Sequence, residues 1–332
     1  MPDFSKVPQL TILIMIQIFY KSNGQMMVSN LESDFGNLQR DNVLWIDLFS
    51  PSGSEKRAAE AFLDCSLQAR SKAEEIESSS RFIETEKGIF ANTNFILPGP
   101  DDYSMEAVSF ILIGNTLTTI REIQLKAFSD LQRRVEAFPK QYANGYHVFV
   151  SLLEQRVDLD ADMIEVMSKE IAQLSQKISR GEERINEDIL LDINQMQENT
   201  MLVRENIVDK QRMVGSFLKT AKLPKTLTGR FNVLLKDIAS LINHTNFNFE
   251  RLEYLQDTVL GLVNLDQNKI MKVFTFISLL LMPPTLIASF YGMNLKLPIL
   301  GTCGPWDWII VGGLMLVSVT VVYIIFKVKK LL

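Results

Sequence analysis

Cysteine and histidine are nearly absent from this chain of 332 residues: Cys65 and Cys303 stand far apart, and His147 and His244 are the only imidazoles. Two isolated thiols give no disulfide framework, and these four residues offer neither a thiolate zinc set nor a histidine-rich one. A phosphate loop, a His-Glu metal motif and a nucleophile elbow are also missing, which makes an enzyme the least supported class. The net charge is −5 with 22% charged residues, so the chain is neither a basic nucleic-acid binder nor a disordered polymer. Charge is missing altogether from two stretches, Val273–Phe290 and Trp308–Phe326. Each can span a bilayer, because a hydrocarbon core about 30 Å thick needs about 20 helical residues. A soluble body is therefore followed by a membrane tail.

The N-terminus also holds an apolar run, "LTILIMIQIFY" after Lys6. It lacks a small-residue cleavage site and is rich in β-branched residues, so it reads as a buried strand closed by the Asn23-Gly24 turn rather than a signal peptide. Met15 is an alternative start, with the residues before it a translated extension, and the body is expected to be cytoplasmic. Lys269 and Lys272 precede the first span, and Lys327, Lys329 and Lys330 follow the second, whereas the connecting loop carries only Lys296 before Asp307. Positive-inside bias then places both termini in the cytoplasm and "YGMN" outside. Trp306 and Trp308 fall where an outer aromatic belt would lie.

The body divides by composition. Residues 1–144 read as an α/β domain, with "VLWIDLF", "GIFANTNFIL", "AVSFILIG" and "TLTTIRE" as strands and "SGSEKRAAEAFLD" as a helix opened by a serine cap. Residues 145–227 contain no proline before Pro224 and dense charge at helical spacing, which predicts a helical hairpin broken near Gly181. A third helix begins near Thr228, and no break appears before Pro283. Residues 228–290 thus read as a stalk helix continuing into the first span, roughly 95 Å long at about 1.5 Å per residue. After it come a loop over 291–307, a second span over 308–326 and a basic tail over 327–332. So long a helix needs packing partners, and two spans per chain do not supply them within a membrane. An oligomer follows.

Polar residues in the first span form a line. Thr275, Ser278, Thr285 and Ser289, with Met282 between, recur at spacings of three and four, and the line extends back through Met271 to Asn268. Such positions share one helix face; Phe276, Leu279, Leu286 and Phe290 are assigned to the opposite faces. Small hydroxyl residues on one face permit close helix packing, or they line a water-filled pore shared by several subunits.

The string "NKIMKVFTFISLLLMPPTLIASF" followed by "YGMN", one short span and a lysine-rich end resembles the CorA family of divalent-cation channels. The likeness is densest over residues 264–294, with weaker echoes in "WIDLFSPS" and "VSFILIGNTLTTIRE". It implies a funnel-shaped homopentamer in the bacterial inner membrane: an α+β cytoplasmic domain, a long stalk helix and two transmembrane helices. It further implies Gly292, Met293 and Asn294 as the outer selectivity filter. Asn268, Met271, Phe274, Thr275, Ser278, Met282, Thr285 and Ser289 would line the pore, with Phe274 near the hydrophobic constriction. The resemblance makes Mg2+ both the transported and the regulatory ion, with Co2+, Ni2+ or Zn2+ as further candidates. Regulatory metal would bridge Asp257 and either Glu84 or Glu86 of "RFIETEKG" between neighbouring cytoplasmic domains.

A neutral filter has a physical logic. Mg2+ dehydrates reluctantly, so carbonyl acceptors that bind its water shell suit it better than a tight carboxylate cage. The family's outer loop often carries an acidic residue, whereas here "LKLPILGTCG" places Lys296 there. Consecutive Pro283 and Pro284 suggest a kink in the pore helix. Two other readings stand beside this one. A zinc transporter of the ZntB type usually varies the middle residue of the signature, against which Met293 counts. A membrane-anchored sensor needs neither a polar line nor a filter.

Overall fold

The computed structural model describes residues 16–22, 24–67, 81–99, 102–181, 187–293 and 305–329. It separates into two compact units, Met1–Gln256 and Asp257–Leu332. The first is built on a seven-stranded sheet of β1 (Ile16–Ser22), β2 (Gln25–Ser29), β3 (Val43–Phe49), β4 (Phe82–Glu84), β5 (Gly88–Pro98), β6 (Tyr103–Ile113) and β7 (Thr116–Arg121). Their order is β2-β1-β3-β7-β6-β5-β4. The β3–β7 pair is parallel and the other described pairs are antiparallel.

Strand alternation sorts the core onto the two faces of this sheet, because successive side chains point to opposite sides. Phe19, Trp45 and Phe110 join one buried cluster, while their neighbours Ile18, Ile46 and Ile111 join the other. Both faces of β3 are covered, and six of its seven residues are buried. Such burial favours the continuous apolar run "VLWI-LF".

Asp47 interrupts that run and is 1% exposed. Its carboxylate accepts from Thr119 Oγ1 at 2.7 Å, Arg121 Nη2 at 2.9 Å and Gln132 Nε2 at 3.1 Å. The Arg121 guanidinium lies 4.8 Å from the Phe49 ring centroid and 4.7 Å from that of Phe128. A buried charge persists only when so surrounded.

Helix α1 (Gly53–Leu63) starts from a capping box, in which Ser52 Oγ accepts from the Glu55 N–H and Glu55 Oε2 accepts from the Ser52 N–H. Helix α2 (Lys126–Ala137) lies beyond β7 in sequence. The hairpin consists of α3 (Gly145–Arg180) and α4 (Glu187–Lys219). Asn144 caps the first of these, accepting from the Tyr146 and His147 N–H groups, and Gly181 ends it at φ 64°, a left-handed position that suits glycine.

Helix α5 (Thr228–Tyr291) follows. Its first turns contribute Phe231, Leu234 and Ile238 to the core of the first unit. It remains helical through Pro283 and Pro284. Helix α6 (Pro305–Val328) completes the described chain. Two helical segments, Lys225–Tyr291 and Trp308–Val328, are long and apolar enough to cross a membrane.

Candidate pore and filter

Each residue of an α-helix turns the side-chain direction by about 100°. Within the apolar segment of α5, from Val273 on, the half-exposed residues are Phe276, Leu280, Pro283, Pro284, Ile287 and Tyr291, which share one face. On α6 the half-exposed residues Val311, Met315, Ser318, Val319, Val322 and Phe326 also share a face. Phe276 meets Phe326 edge to face, with ring centroids 5.1 Å apart and planes at 70°.

The polar line lies on the opposite side of α5. Asn268, Met271, Thr275, Ser278, Met282, Thr285 and Ser289 are all exposed within the chain. Phe274 stands at the edge of that line and is 70% exposed. Within this one chain the line is therefore on the side of α5 away from the α6-facing side chains.

One sequence assignment needs correcting. Phe276 does sit on the face with neighbours, but Leu279, Leu286 and Phe290 fall between the two faces and are 40%, 70% and 54% exposed. An aliphatic pattern alone does not say which of two apolar faces a partner helix covers.

Two hydroxyls along the line have defined partners. Thr275 Oγ1 donates to the Met271 carbonyl and Thr285 Oγ1 to the Leu281 carbonyl, each at 2.7 Å. These i to i−4 bonds use the hydroxyl proton locally. Each oxygen keeps lone-pair capacity toward the exposed side.

At the end of α5, the Gly292 N–H donates to the Ala288 carbonyl at 2.9 Å. A Cβ at Gly292 would lie 3.0 Å from that same oxygen. The close approach favours glycine at the point where the helix ends. Met293 is 49% exposed. Asn294, Lys296 and Cys303 lie outside the described residues, so the filter assignment for Asn294 rests on sequence.

Glu84 ends β4, and Glu86 follows in the turn to β5; both are exposed. Lys222 holds this turn, donating to the Thr85 carbonyl and, at 3.1 Å, to that of Glu86. Asp257 is exposed on α5. Among the described residues no group of three or more His, Cys, Asp or Glu side chains is gathered to hold a metal ion.

An α/β unit, a long helix that carries the first apolar segment, and one further apolar helix after it define a class: a membrane protein with a large body and two C-terminal spans. The family model described as CorA-like Mg2+ transporter protein matches residues 40–330. The magnesium transport protein CorA of Wolinella succinogenes is 33% identical over 324 residues, covering 95% of this chain and 99% of that protein. The chain belongs to the CorA-like Mg2+ transporter family and is a membrane protein.

Solved structures agree on the fold. The complete CorA magnesium transporter of Methanocaldococcus jannaschii superposes with TM-score 0.77 at 18% identity, over 94% of this chain and 97% of that one. The ZntB cytoplasmic domain of Vibrio parahaemolyticus gives 0.55 at 14% identity, over 76% of this chain and 98% of that one.

Proposed function

We propose that this protein conducts Mg2+ into the cell as a homopentameric channel of the bacterial inner membrane, with both termini cytoplasmic. The observation that carries the reading is the placement of the polar line on α5 opposite the face that meets α6. Several copies can then turn these lines toward one axis while the α6 helices lie outside them. Magnesium is favoured over zinc because the relative at 33% identity is a magnesium transport protein, whereas the likeness to the zinc-type domain is one of fold at 14% identity.

In this reading Asn268, Met271, Thr275, Ser278, Met282, Thr285 and Ser289 line the conduction path, and Phe274 supplies an apolar constriction that closes by dewetting. Gly292 backbone and Asn294 side-chain oxygens form the outer filter and accept hydrogen bonds from the ion's retained water. Asp257 of one subunit and Glu84 or Glu86 of its neighbour bind regulatory Mg2+, which stabilises the closed state by mass action. Co2+ and Ni2+ are further candidate cargo.

The test is Mg2+ uptake by liposomes made with the purified protein, read with an internal indicator dye. The unmodified protein should transport, and Asn294→Ala should lose uptake while retaining its oligomer by size-exclusion chromatography. Unmodified uptake in Asn294→Ala liposomes would remove Asn294 from the filter. No uptake by the unmodified protein would favour a membrane-anchored sensor.

A further inference from the structure

Helices α5 and α6 leave their apolar stretches side by side. Phe276, near the start of the first stretch, meets Phe326, at the end of the second, and both helices carry lysine just beyond that contact. Lys272 and Lys269 precede Phe276 by four and seven residues, and Lys327 and Lys329 follow Phe326 by one and three. At about 1.5 Å per residue, all four positions lie within about 11 Å of the aromatic pair along the helices.

Their directions converge as well. At about 100° per residue, Lys269 and Lys272 fall within about 40° of Phe276 around α5, on the side that meets α6 and away from the polar line. The Lys329 N–H donates to the Ile325 carbonyl at 3.1 Å, which keeps this residue in the helical turn and about 60° from Phe326 around α6. Cations of two helices thus approach one another from facing sides, an arrangement that repels unless an anion comes between them.

The chain brings no such anion to this place. All four lysines are exposed, and among the described residues none has an ion pair or a side-chain hydrogen bond. Asp266 lies ten residues before Phe276, and α6 holds no acidic residue after Asp307. Immediately beside the lysines, the apolar windows of both spanning segments are 0% buried within the chain. A free inorganic anion would use the lysines alone. A phospholipid uses both surfaces, with its phosphate on the ammonium groups and its chains on the apolar sides, while the lysine stems extend along the boundary.

We infer that the Phe276–Phe326 end of the α5–α6 pair is a binding site for an anionic phospholipid, its phosphate held between Lys269 and Lys272 of one helix and Lys327 and Lys329 of the other. The choice of the cytoplasmic leaflet rests on the placement of the termini proposed above. The site itself needs only the two membrane spans, and it does not depend on ion transport.

The test uses the purified full chain in phosphatidylcholine liposomes with trace spin-labelled lipid, and electron paramagnetic resonance to read the motionally restricted fraction. Spin-labelled phosphatidylglycerol should associate about fivefold more strongly than spin-labelled phosphatidylcholine at low salt, and the preference should shrink as salt rises. The pairs Lys269→Gln with Lys272→Gln, and Lys327→Gln with Lys329→Gln, should each reduce it to about twofold, and all four together should remove it. Arginine at the same four positions keeps the charge and should keep the preference, which separates lost binding from lost folding. Lys236→Gln, at an exposed position in the first unit, should change nothing. Equal association of the two lipids with the parent would overturn the inference, as would an undiminished preference in the fourfold glutamine variant. An equal loss in Lys236→Gln would reduce the effect to net charge and reject the site. Loss confined to one pair would mean that a single helix holds the lipid, against a shared site. Displacement by inorganic phosphate at constant ionic strength would assign the lysines to a free anion and reject the lipid.

Discussion

The two units treat exposure in opposite ways. In the first, even charged groups are enclosed: Asp47, Asp160 and Lys210 are 1%, 0% and 1% exposed, and each has partners from the same chain. In the second, the apolar windows of both spanning segments are 0% buried within the chain. Residues such as Leu286 and Leu316, each 70% exposed, have no comparable enclosure. The first unit therefore completes its own core, whereas the apolar surface of the second is left to be covered from outside the chain. Substitutions should separate the two accordingly, by altering stability in one and transport in the other.

The largest stability effect should come from Asp47→Ala. It leaves the Arg121 guanidinium buried without its carboxylate, which costs about 3–5 kcal/mol and lowers the melting temperature by about 10 °C in a unit of this size. Trp45, whose Nε1 donates to Thr119 at 2.9 Å, places a fluorescent reporter within this network. A melting curve that did not move would mean that Arg121 finds another partner.

Lys210→Met gives a smaller, pH-dependent effect. The folded pKa of about 8 lies below the ordinary 10.5, so between these values the unfolded chain binds more protons and the parent gains stability as pH rises. Below about 8 the buried ammonium is a full penalty, up to about 3 kcal/mol from the shift alone. Relative to the parent, the methionine variant should be most favourable near pH 7 and lose ground toward pH 10. Thermal unfolding at three pH values checks this, and a constant difference would refute it.

In the second unit, Asp257→Lys should leave folding unchanged and weaken inhibition of flux by internal Mg2+, because a fixed cation takes the place of the metal. Unchanged inhibition across a magnesium titration would remove Asp257 from the regulatory site. The smallest effect is expected for Lys296→Glu. Each ammonium repels a divalent ion about 10 Å away by roughly 1 kcal/mol in water before screening. Uptake at low external Mg2+ should rise, and the gain should shrink with salt because the Debye length is also about 10 Å. A gain independent of salt would point to altered loop structure instead.

Local signals were legible in the sequence where one physical cause dominated. "VLWIDLF" forms β3 at Val43–Phe49, Ser52 makes the expected cap, and Gly181 ends α3. The sheet order was not legible, since the parallel pairing of β3 with β7 joins segments more than 60 residues apart and no local pattern encodes that choice. Strand β4 (Phe82–Glu84) was read only as an acidic stretch, being three residues long. Arg156 and Lys210 meet the same Asp160 carboxylate, and Lys210 does so only through the folded hairpin, which no local spacing announces. For the candidate pore, the periodicity of the polar line could be read directly, whereas the choice of Phe276 over Leu286 as a contact for α6 required the structure.

The threonine hydroxyls carry a consequence for protons. Grotthuss hopping along a column of hydroxyls and waters needs every member to pass its own proton onward while receiving another. Thr275 and Thr285 have theirs directed at the Met271 and Leu281 carbonyls, which leaves their outward oxygens as acceptors. In the proposed pore they would orient the waters around a passing cation yet interrupt a proton wire at two levels. The same bonds that keep the helix backbone supplied with donors would thus help to keep magnesium entry electrically separate from the proton gradient.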